Sequence, residues 1–209
     1  NESISFDPKG HSQVKAPGVF AELNYTPRFV HADYTENAVL GVTESSTLLH
    51  YQQGVDVTGH VEIDGRTIEI ASPGFRDRTW GFRDEPKAWV DGYGFCVTTD
   101  DFDFTAIRNM GSDGEIVTDG FILSDDGALR LTDIAFTWDP IMLQHADLTF
   151  EDGSVRTITN VDRQYIPVWF PMGHARPVPG MTCWSEYCNF DAWGSPGQGI
   201  VGHWVRRLV

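Results

Sequence analysis

Asp56-Val57-Thr58-Gly59-His60-Val61-Glu62-Ile63, then Asp64-Gly65, then Arg66-Thr67-Ile68-Glu69-Ile70, is the run on which the architecture turns. Val57, Val61 and Ile63 alternate with polar residues, the two-residue period of a half-buried strand. Asp-Gly supplies two adjacent positions that tolerate positive φ, as a two-residue hairpin turn requires. Two antiparallel strands with a tight connection are expected here.

The same turn chemistry recurs downstream. Ser112-Asp113-Gly114 separates 104–110 from 115–123, Asp125-Asp126-Gly127 precedes 128–138, and Glu151-Asp152-Gly153 lies between 146–150 and 154–161. β-branched and aromatic runs fill the intervals, which predicts an all-β antiparallel meander closing into a barrel or sandwich. The one helical pattern, 140–146, is too short to shape the fold.

Outside this middle region the texture changes. Residues 1–45 carry Pro8, Gly10, Pro17, Gly18, Pro27 and Gly41, and read as short strands and irregular wrapping, one reading being the remainder of a preceding β domain. Residues 46–209 form the main β domain. After Tyr165, the run of Pro167, Pro171, Gly173, Pro177, Pro179 and Gly180 predicts a long loop, since proline interrupts a strand ladder. Two closing strands, 181–190 and 199–208, flank Trp193-Gly194-Ser195-Pro196-Gly197.

A formal charge of -15 argues against a phosphate backbone or an anionic bilayer as partner. No apolar run reaches the roughly 20 residues of a membrane-spanning helix. Cys96, Cys183 and Cys188 are odd in number and form no Cys-x-x-Cys pair, so a reducing, cytoplasmic setting is expected. The seven histidines make no zinc-ligand pattern, and Asp100-Asp101-Phe102-Asp103 lacks the spacing and glycine of an EF-hand. No metal and no cofactor are expected, and no dinucleotide fingerprint or nucleophile elbow is present.

Chemistry concentrates between Gly74 and Trp89. In a strand, Arg76, Arg78 and Trp80 share one face while Asp77 and Thr79 share the other. Two guanidinium groups beside an indole can stack on a flat ligand, grip a carboxylate or enolate, or stabilise developing negative charge. The alternative is that they pair with Asp77, Asp84 or other carboxylates and brace one end of a barrel.

Gly74-Phe75-Arg76-Asp77-Arg78-Thr79-Trp80-Gly81-Phe82-Arg83-Asp84, preceded by His50-Tyr51-Gln52-Gln53 and Gly59-His60-Val61, resembles the carotenoid 1,2-hydratase (hydroxyneurosporene synthase)-like and AttH-like family. That likeness spans 47–89 well and 184–187 and 197–199 more faintly. It implies lipocalin-like (calycin) β domains and cofactor-free chemistry on hydrophobic polyenes. The family motif carries a histidine two residues before the Trp, where this chain has Arg78, and arginine stays protonated and is a poor acid or base. The family also places an acidic residue on a downstream strand, matched approximately by Asp101 or Asp103.

Three further residue groups are candidates. Asp103 pushed toward an apolar cavity would acquire a raised pKa and could move a proton, although such a cluster is also compatible with a solvated turn. Glu186, between Trp184 and Tyr187, could neutralise an arginine or act as acid or base. His174 in the proline-rich stretch could cap a barrel mouth, and Cys183 and Cys188 read as small core residues.

The resulting expectation is a cofactor-independent enzyme of hydratase (lyase) or isomerase/cyclase type, acting on an isoprenoid- or polyketide-like molecule. Arg78, Asp103 and Glu186 are the catalytic candidates, and Arg76, Trp80, Trp89, Tyr93, Trp184 and His174 the substrate-binding ones. A hydrophobic small molecule is the expected partner, with no nucleic acid, no membrane span and a homo-oligomer as an open state. A non-catalytic carrier of a hydrophobic ligand and a structural domain of a larger chain or oligomer are the alternatives.

Overall fold

Asp64 and Gly65 both take positive φ, 47° and 78°, as the hairpin reading requires. The computed structural model describes residues 3–34, 49–80, 89–139, 142–163, 168–172 and 180–207. Its strands, in chain order, are β1 (Ser3–Asp7), β2 (His11–Ala16), β3 (Val19–Pro27), β4 (Ala32–Asp33), β5 (Leu49–Ile63) and β6 (Arg66–Trp80). They continue with β7 (Trp89–Thr99), β8 (Asp103–Gly111), β9 (Ile116–Ser124), β10 (Gly127–Arg130), β11 (Asp133–Asp139) and β12 (Met142–Thr149), then β13 (Val155–Arg163), β14 (Val168–Met172), β15 (Gly180–Ala192) and β16 (Ser195–Arg207). Among the described residues there is no helix.

Strands β1 to β6 form one antiparallel sheet, ordered β1-β2-β3-β5-β4 with β6 on β5. β3 pairs with β5 from Val19↔Ile63 to Pro27↔Val55, so strands on both sides of residue 45 share this sheet. Strands β7 to β16 form the second, ordered β10-β9-β8-β7-β16-β15-β13-β12-β11 with β14 on β15.

The second sheet curls until its ends meet. Leu131 N–H donates to Gly120 O at 2.9 Å, linking the β10–β11 connection to β9. A single cluster of buried side chains then joins Phe95, Phe104 and Ile122 from one end of the sheet to Ile134, Leu148, Ile158 and Phe190 from the other. That interior is the main apolar core, and its burial supplies the principal driving force for the curl. Its convex face receives the first sheet through Ala32, Tyr34, Ile107, Phe121 and Leu123.

Two local expectations change. The helical pattern at 140–146 is strand from Met142 onward, because β11 and β13 flank it and complete its backbone hydrogen bonds on both sides. The proline-rich stretch contains β14, which among the described residues pairs with β15 alone, so Pro171 sits on a single-partner strand where its missing N–H is tolerated. Residues 81–88 and 173–179 lie outside the described residues, and with them Phe82, Arg83, Asp84 and the candidate His174.

Candidate functional site

The alternation of β5 and β6 splits the charged motif between two faces. The register pairs His50 with Thr79, Tyr51 with Arg78, Gln52 with Asp77 and Gln53 with Arg76. His50, Gln52, Asp77 and Thr79 therefore share one face, and Tyr51, Gln53, Arg76, Arg78 and Trp80 the other.

The first of these faces meets the second sheet in a buried polar seam. Thr105 donates to Gln52 Oε1, which uses its only hydroxyl proton, so the Tyr34 hydroxyl is the donor in its 3.1 Å contact with Thr105 Oγ1. Gln52 Nε2 donates to Asp77 Oδ2 at 3.0 Å. Hydrogen bonds thus run in one direction from fully buried Tyr34, through Thr105 and Gln52, to the exposed carboxylate of Asp77. His50 lies beside that end, with Nδ1 2.7 Å from Thr79 Oγ1 and 3.6 Å from Asp77 Oδ1. Burial holds the Tyr34 phenol well above its ordinary value, so it remains a neutral donor.

Asp103 occupies the same seam, two residues before Thr105 on β8. It is fully inaccessible, and the Arg28 guanidinium reaches Oδ1 at 3.0 Å. Arg28 is held in turn by the carbonyl of Thr99 and, at 3.3 Å, that of Asp100. Burial pushes the Asp103 carboxyl up to about 7, against the opposing pull of Arg28 and with a further push from Asp56. Oδ2 has no hydrogen-bond partner among the described residues and lies against the Cα of Gly54. A Cβ on Gly54 would overlap that oxygen. Gly54→Ala is therefore expected to displace the carboxyl and destabilise the protein by about 1–3 kcal/mol, measurable as a lower midpoint in urea with unchanged slope.

Beside this seam is a cleft of about 280 Å³ lined by Phe75, Cys96, Thr98, Tyr187, Gln198 and Ile200 among others. Thr98 is the β7 partner of Asp103, and Phe75 the β6 partner of Gly54. Both residues line the cleft. Cys96 enters as a neutral thiol rather than a nucleophile, because burial raises it to about 12.

The three catalytic candidates lie in three places. Asp103 is in the seam. Arg78 is on the opposite face of β6, where its Nη1 donates to Tyr51 Oη at 3.2 Å and its guanidinium sits 4.6 Å from the Trp80 ring centre. Glu186 is 4% exposed on β15, opposite Val201, on the core side of the curled sheet.

The binding candidates divide likewise. Arg76 and Trp80 accompany Arg78. Tyr93 lies on the core side of the curled sheet, stacked 4.0 Å from Trp138 and 4.2 Å from His203, whose Nε2 is 3.3 Å from Asp91 Oδ1. Trp89 is half-buried at the start of β7, and Trp184 takes its backbone place on β15 opposite His203. Sequence reasoning missed Arg28, Tyr34, Gly54 and Thr105, which contribute to the seam from three separate stretches of chain. A glutamine at a core-facing strand position, Gln52, was the one local signal for it.

Among the described residues, no group of three or more His, Cys, Asp or Glu is placed to hold a metal ion, and no helix is long and apolar enough to cross a membrane.

The profile of a family described as "Domain of unknown function (DUF7064)" matches residues 5–204. No curated protein matches the sequence. The fold is similar to an AttH-like protein from Nitrosomonas europaea, with a TM-score of 0.67 and 17% identity over 97% of this chain and 67% of that one. It is also similar to kievitone hydratase from Nectria haematococca (TM-score 0.56, 12% identity, 98% and 68% covered) and to CghA (TM-score 0.57, 10% identity, 93% and 64% covered). The chain thus spans about two thirds of the length of these structures. At such identities the likeness concerns the fold, and the antiparallel lipocalin-like architecture implied by the 74–84 motif is the one observed.

Proposed function

The chain belongs to the family described as a domain of unknown function (DUF7064), and from its fold and the buried Asp103 carboxyl we propose a cofactor-independent enzyme that adds or moves a proton on a hydrophobic small molecule. The substrate class is an isoprenoid- or polyketide-like polyene, and the reaction a hydration, isomerisation or cyclisation. One observation carries the reading: Asp103, a buried carboxyl raised to about 7, is the strand partner of Thr98, which lines a largely apolar cleft. A carboxyl in that range is divided between acid and base forms near neutrality, the condition under which it both gives and retrieves a proton efficiently.

In this scheme the Asp103 acid protonates one carbon of an alkene or dienol as Phe75 swings aside, and Arg28 stabilises the carboxylate that remains. Loss of a proton from a neighbouring carbon back to Asp103 completes an isomerisation. Addition of water to the cation, with return of one water proton to Asp103, completes a hydration. A hydratase among the similar folds supports the latter outcome.

Incubation with conjugated polyenes and enones in D₂O tests the proposal. Deuterium should appear on substrate carbon, with a mass gain of one water where hydration occurs. Capture of a polyene with unaltered mass and no deuterium favours a carrier instead, and absence of any capture favours a structural domain.

A further inference from the structure

The face of β5 and β6 turned away from the seam carries a second constellation that the acid–base scheme leaves unused. Arg76 and Arg78 lie two residues apart on one strand face, about 7 Å between Cα atoms. Their guanidinium carbons lie 5.6 and 5.8 Å from the Tyr51 ring centre, and that of Arg78 lies 4.6 Å from Trp80. His31 packs on Tyr51 with ring centres 5.3 Å apart. Trp80 is 43% exposed, so the group opens to solvent at one side.

Among the described residues, neither of these arginines has a counter-charge within ion-pairing distance. Arg28 faces Asp103 and Asp56, and Arg130 faces Asp119. Among the described residues no carboxylate pairs with Arg76 or Arg78, although the chain as a whole has a formal charge of -15. Neutral partners hold them in place instead. Gln53 accepts from Arg76 Nη2 through Oε1 while its Nε2 donates to Phe29 O at 2.8 Å, and Tyr51 Oη accepts from Arg78. The buried Arg76 Nε–H has no acceptor among the described residues.

Each guanidinium has five N–H donors, and one from each is used in a hydrogen bond among the described residues. Two adjacent cations repel, and the negative faces of Tyr51 and Trp80 offset that only in part. A carboxylate between them would answer both deficits through charge-assisted hydrogen bonds, and a flat conjugated body would continue the stack on the exposed indole.

We propose that Arg76, Arg78, Tyr51 and Trp80 form a binding site for the carboxylate of a planar conjugated acid, separate from the seam that contains Asp103. The proposal is independent of the chemistry at Asp103. The site selects for negative charge and flatness together, and a neutral polyene does not satisfy it.

Calorimetric titration of the whole protein with trans-cinnamate, cinnamamide and cyclohexanecarboxylate tests this. Cinnamate should bind saturably and more weakly as salt rises. Cinnamamide, which lacks the charge, should bind at least about tenfold more weakly, as should cinnamate to Arg76→Gln and Arg78→Gln, each loss corresponding to one charge-assisted contact. Cyclohexanecarboxylate, which lacks the flat face, should bind several-fold more weakly than cinnamate, and Trp80→Leu should remove that preference. Arg78→Lys keeps the charge without the planar fork and guards against a variant that fails to fold; it should retain salt-sensitive binding at reduced affinity. No saturable binding of cinnamate, equal binding of the amide, or affinities unchanged in folded Arg76→Gln and Arg78→Gln would overturn the proposal.

Discussion

Asp103→Asn is expected to lower turnover on any polyene substrate by roughly 10²–10⁴-fold, the usual contribution of a positioned acid or base, while the protein stays folded. Asparagine preserves the shape against Gly54 and keeps an oxygen for Arg28, but it cannot deliver a proton. The native rate should follow an ionisation near 7, with the acid-dependent limb falling as pH rises through that value. The variant's residual rate should be flat there.

The same ionisation governs stability. The folded carboxyl retains its proton up to about 7, whereas an unfolded aspartate releases it near 3.8. Between these values the folded state binds more protons, so the Asp103 contribution is complete below the lower one and is lost as pH rises through the upper one. The span corresponds to at most about 4 kcal/mol. Unfolding in urea from pH 4 to pH 8 should show this decline in the native protein and not in Asp103→Asn, so the variant should be the more stable of the two at pH 8. A protein that loses a proton carrier and gains stability in alkaline solution shows the ordinary conflict between a functional group and the fold that holds it.

Arg28→Met should produce the second large effect, a loss of about 1–3 kcal/mol, because it removes the donor from a buried carboxyl oxygen and frees the carbonyls of Thr99 and Asp100 from their guanidinium donor. Arg28 is also the principal influence that lowers the Asp103 pKa. Its removal should therefore move the apparent ionisation above 7 and carry the acid limb of the rate profile with it. Arg28→Lys, which restores charge without the fork, should return the profile toward the native one while recovering only part of the stability. Urea titrations and pH–rate profiles on the three proteins separate these effects. An unshifted profile in folded Arg28→Met would mean that the rate-determining ionisation belongs to another group.

Much of the fold was legible because its signals are local. Asp64-Gly65 required a turn whatever surrounded it, and the alternation on either side placed Arg76, Arg78 and Trp80 on one face and Asp77 and Thr79 on the other, as observed. Local signals failed where tertiary pairing decides. The pattern at 140–146 has weak helical spacing, but two neighbouring strands make it part of β12 from Met142 onward. Pro171 argues for a loop only if every strand must pair on both sides, and β14 pairs on one.

The candidate site was legible residue by residue and not as an assembly. Asp103 stood out as a carboxyl beside apolar residues, and the two arginines stood out as dense charge. Which face of β6 meets β8 depends on how two sheets dock, and no periodicity within β6 encodes that. Once docked, Asp103 joins the Gln52–Asp77 face, and Arg78 is carried to the other side of the sheet. The partners of Asp103 follow the same logic, since Arg28 lies 75 positions away and Gly54 is conspicuous only when its missing Cβ is set against the carboxyl.

The most direct test follows the Asp103 carboxyl itself by infrared difference spectroscopy between pH 5 and pH 9, with Asp103→Asn as the subtracted reference. A protonated-carboxyl band that disappears with a midpoint near 7, and shifts upward in Arg28→Met, is the predicted result. Absence of that band across the whole range, showing a carboxyl already ionised at pH 5, would contradict the assignment of Asp103 as the proton carrier.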